Sequence, residues 1–342
     1  MQHLQKILDG CIDRKKIFGC SFAIKKEGFQ WQGAAGDLNI NQKYFIASTT
    51  KLFTTALILK FREKGWLDID NTGASFLGPN LFSELHQFEG KAYGQEISIR
   101  HLLSHTSGLP DYFQDKNKDA RSLEDEIKQG RDLAWTFEEA MERTRSLPAL
   151  FPPGWKNKAH YSDANFQILG KVIEHISGKS YEQCCQEYIF EPLGLNATYL
   201  YHHIEDKAPK TLYYKEKELH IPKAMASFGP DGGMVSNASD MLMFTEAFFR
   251  GALFPVSYLE EMQSWRRIFF PMQSGLGIHL FKLPWFFNPF GTVPSFIGHS
   301  GLSGALAFYC PAKNLFITGT VNQVAHPELS FRTMIKLAQA VK

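Results

Sequence analysis

The chain has 342 residues, 44% hydrophobic and 14% aromatic, enough for a substantial core in one large or two interleaved domains and too apolar for disorder. Its 37 basic and 35 acidic residues nearly cancel to +2, which argues against a dedicated nucleic-acid or anionic-membrane surface. No run of about 18 apolar residues occurs, so no transmembrane helix is expected.

Residues 1–19 mix Gln, His, Lys, Asp and Arg with apolar positions and lack the continuous apolar core of a signal peptide. On that ground a cytoplasmic protein is expected. The cysteines, Cys11, Cys20, Cys184, Cys185 and Cys310, are irregularly spaced without a C-x-x-C, and read as reduced, mostly buried thiols.

In chain order, residues 4–14 show helical spacing (Leu4, Ile7, Leu8, Cys11, Ile12), and 20–26 and 29–35 predict two strands joined at Glu27-Gly28. Residues 45–65 predict one helix that starts at Ser48, presents Leu52, Phe53, Ala56, Leu57, Leu59 and Phe61, and stops at Gly65. After 66–69 and a loop over 76–80, residues 97–110 predict a short helix ending in a turn at Gly108 and Pro110. Residues 111–131 are polar and read as a solvated loop with some helix. Thr136 caps a helix over 137–145, which Pro152-Pro153-Gly154 break. Helices over 164–177 and 180–190 follow. Residues 200–221 read as a surface hairpin or loop, 229–233 as a glycine-rich turn and 237–249 as a helix. Strands are expected at 277–281, 304–310 and 315–321, and a closing helix at 328–341. This order suggests one α/β domain built from 1–62 and 225–342, with a mainly helical domain, 63–224, inserted between them.

Three short constellations carry chemistry. Ser48 and Lys51 are three apart on a predicted helix and share a face. The helix dipole and burial both favour a neutral amine there, able to take the proton from Ser48. The same stretch also fits a plain capped helix with a solvated lysine. Tyr161-Ser162-Asp163 stands before a helix; the phenol is a candidate acid or base, or an aromatic that packs a capped helix entry. His299-Ser300-Gly301 enters the strand-rich end; it lines a site or merely begins an edge strand.

Taken in order, these three resemble the serine β-lactamase and penicillin-binding-protein superfamily, in particular its class C-like branch with the related D-Ala-D-Ala carboxypeptidases, D-aminopeptidases and esterases. The connecting runs are similar too. Residues 100–110 look like H-L-L-x-H-T-S-G-L-P. Pro153-Gly154, Tyr161-Ser162, Leu169-Gly170 and Pro192-Leu193-Gly194-Leu195 look like P-G…Y-S-N…L-G…P-L-G-M. Residues 232–236 look like G-G-L-x-S. The resemblance covers residues 20–322. It implies an α+β, β-lactamase-like fold with an antiparallel sheet flanked by helices from both termini, and an active site between that domain and the inserted one. It implies that Ser48 attacks a carbonyl to form an acyl-enzyme, with Lys51 and Tyr161 sharing the proton work. The oxyanion would meet the N–H groups of Ser48 and Leu302, with Asp163, His299, Ser300 and Gly301 around the substrate. No cofactor or metal is implied, and the oligomeric state stays open.

Two departures matter. Asp163 stands where the family usually has Asn; its carboxylate should pair with Lys51 and keep it charged, or repel an anionic substrate. His299 stands where β-lactamases have Lys and is a weaker carboxylate anchor near neutral pH. Both favour an esterase, amidase or D-peptidase acting on small esters, amides or peptides over a class C-type β-lactamase. The rival from another class is a catalytically silent binding protein, against which the intact set of Ser48, Lys51 and Tyr161 argues.

Residues 265–296 hold nine aromatics, and the predicted loop 283–294 suggests an apolar wall or lid over the acyl site, or else core for its strand residues. His101 and His105 have metal-ligand spacing without a third ligand or an HExxH glutamate and read as a packed, hydrogen-bonded pair. Gly301-x-Ser303 is a near miss for a nucleophile elbow, and no P-loop or dinucleotide fingerprint occurs.

Overall fold

The structure, a computed structural model, describes residues 1–117 and 120–341. Its frame is an eight-stranded antiparallel sheet. The strands are β1 (Gly19–Lys26), β2 (Phe29–Gly36), β3 (Arg266–Phe269), β4 (Met272–Ser274), β5 (His279–Phe281), β6 (Phe296–Ser300), β7 (Ala305–Cys310) and β8 (Leu315–Thr320), in the order β3-β4-β5-β6-β7-β8-β1-β2. The two ends of the chain meet where β1 pairs with β8, Ala23 opposite Thr318.

Period-two patterning explains why the sheet is covered on both faces. Phe22, Ile24, Leu306, Phe308, Leu315 and Ile317 point to one side, where helices α1 (Gln2–Asp9) and α6 (Glu328–Ala340) bring Leu4, Leu8, Met334 and Leu337. Ala23, Ala305, Ala307 and Phe316 point to the other side, into the core shared with α2 (Lys51–Glu63) and α5 (Ala238–Phe249). Small residues on that face let α5 approach closely.

Helix α2 is buried nearly all round, from Lys51 to Leu59 and again at Phe61. Phe53 stacks on Phe244 of α5 at 3.7 Å between ring centroids. Phe53→Ala should cost about 3–5 kcal/mol. The helix ends at Glu63 with Lys64 as its C-cap, and Gly65 takes φ +70°, which favours glycine. Between α2 and α5 the chain is mainly helical, with α3 (Ile99–Leu103) and α4 (Asp163–Ser177) nearest the site.

Several expectations need correction. The stretch 45–65 is not one helix. Tyr44 and Phe45 pair with Ser236 and Val235, a single 3-10 turn spans Ala47–Thr50, and α2 begins only at Lys51. Tertiary strand pairing overrides the helical pattern there. Residues 111–131 are not simply solvated: Asp111, Tyr112 and Phe113 are buried, and Ser122 caps a helix over Leu123–Lys128. Part of that expectation, 118–119, lies outside the described residues. Strands β3 and β4 were unforeseen, being three or four residues long with Pro271 between them.

Candidate active site

Ser48 sits in the 3-10 turn that feeds α2, directly after Ala47, whose φ of 46° is unusual for a residue with a side chain. Such backbone is strained by about 1–3 kcal/mol and must be held by its surroundings. Gly301 does part of the holding. A Cβ there would lie 2.5 Å from the Ile46 carbonyl and 2.9 Å from Ala47 Cβ, so only glycine lets the strand edge seat the turn. Ser303 Oγ adds a hydrogen bond to the Phe45 carbonyl at 2.7 Å.

Lys51 is the first residue of α2 and is fully buried. Its three ammonium protons match three acceptors: Asp163 Oδ1 at 2.6 Å, the Asp231 main-chain carbonyl at 2.6 Å and Ser48 Oγ at 3.3 Å. Tyr161 OH donates to the same Ser48 oxygen at 2.8 Å. Lys51 Nζ also lies 5.1 Å from the Tyr161 ring centroid. Ser48, Lys51, Tyr161 and Asp163 therefore form one contact network, drawn from the 3-10 turn, α2 and the N-terminus of α4.

Two further carboxyls surround this network. Asp231 Oδ2 accepts from Tyr112 OH at 2.8 Å and Gln167 Nε2 at 2.9 Å. Asp111 Oδ1 accepts from the N–H groups of Phe113 and Asp163 at 3.1 and 3.2 Å. Burial, and then the neighbouring Asp163 carboxylate, hold both acids well above the usual carboxylate range, which favours their neutral forms. Burial and then Asp163 likewise hold the Tyr161 phenol well above its ordinary value, so it is a neutral donor.

Behind Tyr161 lie three histidines. The His105 ring is 4.6 Å from the Tyr161 ring, and His279 stacks on His299 at 4.0 Å. His105 Nδ1 accepts from Ser162 N and Asn165 Nδ2 at 3.1 and 3.2 Å, placing its proton on Nε2. Burial pushes all three imidazoles down, His279 to about 3, so they are neutral. His299 is 1% exposed, and its Nδ1 meets the Ser300 carbonyl at 2.8 Å. It is no cationic anchor for a substrate carboxylate. His101 instead accepts from Ser98 N in a capping box, so the His101–His105 pair turns to separate hydrogen bonds.

Leu302 and Ser48 line one pocket with Phe113, Ile127, Met225 and Phe228 around it. Its empty volume is about 610 Å³, partly open to solvent. Among the described residues no acceptor takes the main-chain N–H of Ser48 or Leu302. Trp285, Phe286, Phe287 and Phe290 do not line this pocket, so they form no wall over it. The strand residues Phe281 and Phe296 are core.

The Beta-lactamase family profile matches residues 4–340. The chain belongs to that family. It is 24% identical over 261 residues to the putative penicillin-binding protein PbpX of Bacillus subtilis (strain 168), covering 74% of this chain and 57% of that protein. This β-lactamase-family chain thus spans just over half the length of that relative. Among solved structures it is similar to the D-amino acid amidase from Ochrobactrum anthropi SV3, with TM-score 0.80 and 21% identity over 99% of this chain and 100% of the other. It is also similar to a D-stereospecific amidohydrolase from a Streptomyces species, with TM-score 0.79 and 24% identity over 97% of each chain. These likenesses show the β-lactamase-like fold.

Sequence reasoning missed Asp231, Asp111 and His279 as parts of the site, whereas His105, read as a packed, hydrogen-bonded histidine, is buried and hydrogen-bonded beside Tyr161. One of the three carried a usable signal. Asp231 lies inside the glycine-rich 229–233 turn, directly before the 232–236 run that resembles the family. Asp111 and His279 had none.

Proposed function

We propose that this chain is a serine hydrolase that forms an acyl-Ser48 intermediate on small esters or amides with an apolar acyl group. The observation that carries the reading is that Ser48 Oγ is held by both Tyr161 OH and Lys51 Nζ beside an apolar pocket. The pocket lies where domain 1–62 with 225–342 would meet domain 63–224.

The resting site holds one ion pair, Lys51–Asp163, and a neutral phenol. A proton moves from Lys51 Nζ to Asp163 along their 2.6 Å contact. The freed amine takes the Ser48 proton as Oγ attacks the carbonyl carbon. The oxyanion meets the N–H groups of Ser48 and Leu302, each worth about 3 kcal/mol of barrier. Tyr161 protonates the departing alcohol or amine and becomes a phenolate. In the second half the phenolate takes a proton from water, which attacks the acyl carbon. Lys51 returns a proton to Ser48 Oγ and regains one from Asp163, restoring the starting state. Asp163, expected from the sequence around the substrate and paired with Lys51, thereby becomes the terminal proton acceptor.

Amides with a D-residue, as in the two solved relatives, and simple esters both fit this chemistry. No observation favours a class C-type β-lactamase over it. The test is a series of p-nitrophenyl esters of rising chain length, read by pre-steady-state burst. A burst and a preference for medium chains are expected, and Met225→Trp, which fills the pocket, should remove that preference. No turnover of any ester or D-amino-acid amide would leave the silent binding protein as the better reading.

A further inference from the structure

The near-zero net charge hides an asymmetry. From Met262 to Pro327 the sequence contains no Asp or Glu, yet it carries Arg266, Arg267, Lys282 and Lys313. This same stretch carries the most exposed aromatics of the described residues. Phe270 is 65% exposed, Trp285 78%, Phe286 66%, Phe287 59% and Phe290 88%.

These side chains form one patch. The β3–β4 tip reaches the 3-10 turn Trp285–Phe287, with the Phe270 and Phe287 rings 5.4 Å apart and those of Phe286 and Phe287 4.6 Å apart. The turn is fixed rather than loose, because Asn288 bonds both the N–H and the carbonyl of Val293. Cations surround it. Arg267 on β3 and Lys282, one residue past β5, are exposed, and neither is in an ion pair among the described residues. Gln339 of α6 reaches Thr292 in the same loop, and Lys336 and Arg332, exposed on that face of the helix, lie one and two turns back. The patch continues inward through Phe269, whose ring is 6.2 Å from that of Tyr161.

We propose that this face docks onto an anionic phospholipid surface, with Trp285, Phe286, Phe287, Phe290 and Phe270 entering the headgroup–acyl boundary and the surrounding Arg and Lys side chains meeting lipid phosphates. Trp and Phe partition favourably into that boundary, and each basic residue near it adds attraction to anionic lipid. A second copy of the chain fits less well. A two-fold contact through this patch would set Arg267 and Lys282 against their own counterparts with no carboxylate to offset them. The docked face would bring the Tyr161 side of the catalytic site next to the lipid boundary.

The test is co-sedimentation with sucrose-loaded vesicles of phosphatidylcholine alone or with about one third phosphatidylglycerol, with tryptophan emission as second readout. The wild type should bind the mixed vesicles, with a blue shift lost in Trp285→Phe, and bind pure phosphatidylcholine much less. Two variants should lower partitioning at least about tenfold: Trp285→Ser/Phe286→Ser/Phe287→Ser/Phe290→Ser, and Arg267→Glu/Lys282→Glu. All six positions are exposed, so Tm should hold, and Tm of each variant checks this. Absent wild-type binding, or undiminished binding by the aromatic variant, would overturn the proposal. So would a solution dimer that the aromatic variant dissociates.

Discussion

Tyr161 stands between two polar clusters that burial treats in opposite ways. On one side Asp111, Asp163 and Asp231 gather around Lys51; on the other, His105, His279 and His299 pack against its ring or behind it. Desolvation disfavours charge of either sign, so the carboxyls of Asp111 and Asp231 go up and the imidazoles go down. Between the two clusters lies one ion pair, Lys51–Asp163, touching Ser48 Oγ. Eight titratable groups crowd one site, yet only Lys51 and Asp163 among them form an ion pair.

The largest effects should come from breaking the network at Ser48. Ser48→Ala should abolish acylation, a loss of at least about a thousandfold in kcat/KM measured with p-nitrophenyl esters. Lys51→Met should lose about 10²–10⁴-fold, and leaves Asp163 buried without its cation, which costs about 3–5 kcal/mol in denaturant unfolding.

Next is Asp163→Asn, which keeps the shape and removes the acceptor. The wild-type rate should be flat around neutral pH because the proton moves within the pair. The variant must lose the Lys51 proton to solvent, so its rate should fall about tenfold or more at pH 7 and climb as pH rises. A flat profile in both proteins would show that Asp163 takes no proton.

On the carboxyl side, Asp231→Asn should change little, because burial already favours the neutral acid it replaces. The amide oxygen can accept from Tyr112 and Gln167, and Lys51 uses only the main-chain carbonyl. Activity within about threefold is expected, with equal or higher Tm at pH 7, since a raised acid pKa withdraws stability as pH rises above 3.8. On the histidine side the sign reverses. His279, lowered from 6.5 to about 3, stays neutral in the fold while the unfolded chain takes up a proton. Its stability contribution is complete above 6.5 and is lost as pH falls toward 3. His279→Phe should therefore flatten the acid loss of Tm, the smallest of these effects.

What was legible in the sequence divides along the same line. Ser48 and Lys51 could be paired because their contact is local, three residues along one turn. The pattern of α2, capped by Gly65, and the terminal strands followed from periodicity. Asp111 was not legible: it opens a stretch so rich in charge that its own burial, with Tyr112 and Phe113, is masked. His279 lies in a three-residue strand, and only the pairing of His279 with Gly298 carries it beside His299. The aromatic run 265–296 was ambiguous because composition does not distinguish Phe281 and Phe296, which are core, from Trp285 and Phe290, which are exposed.

The most direct measurement is intact-mass spectrometry with peptide mapping after a serine-reactive fluorophosphonate at pH 7. One adduct per chain on the peptide that contains Ser48, absent from Ser48→Ala, is the expected result. No adduct on the wild type, or an equal adduct on Ser48→Ala, would contradict nucleophilic catalysis by Ser48.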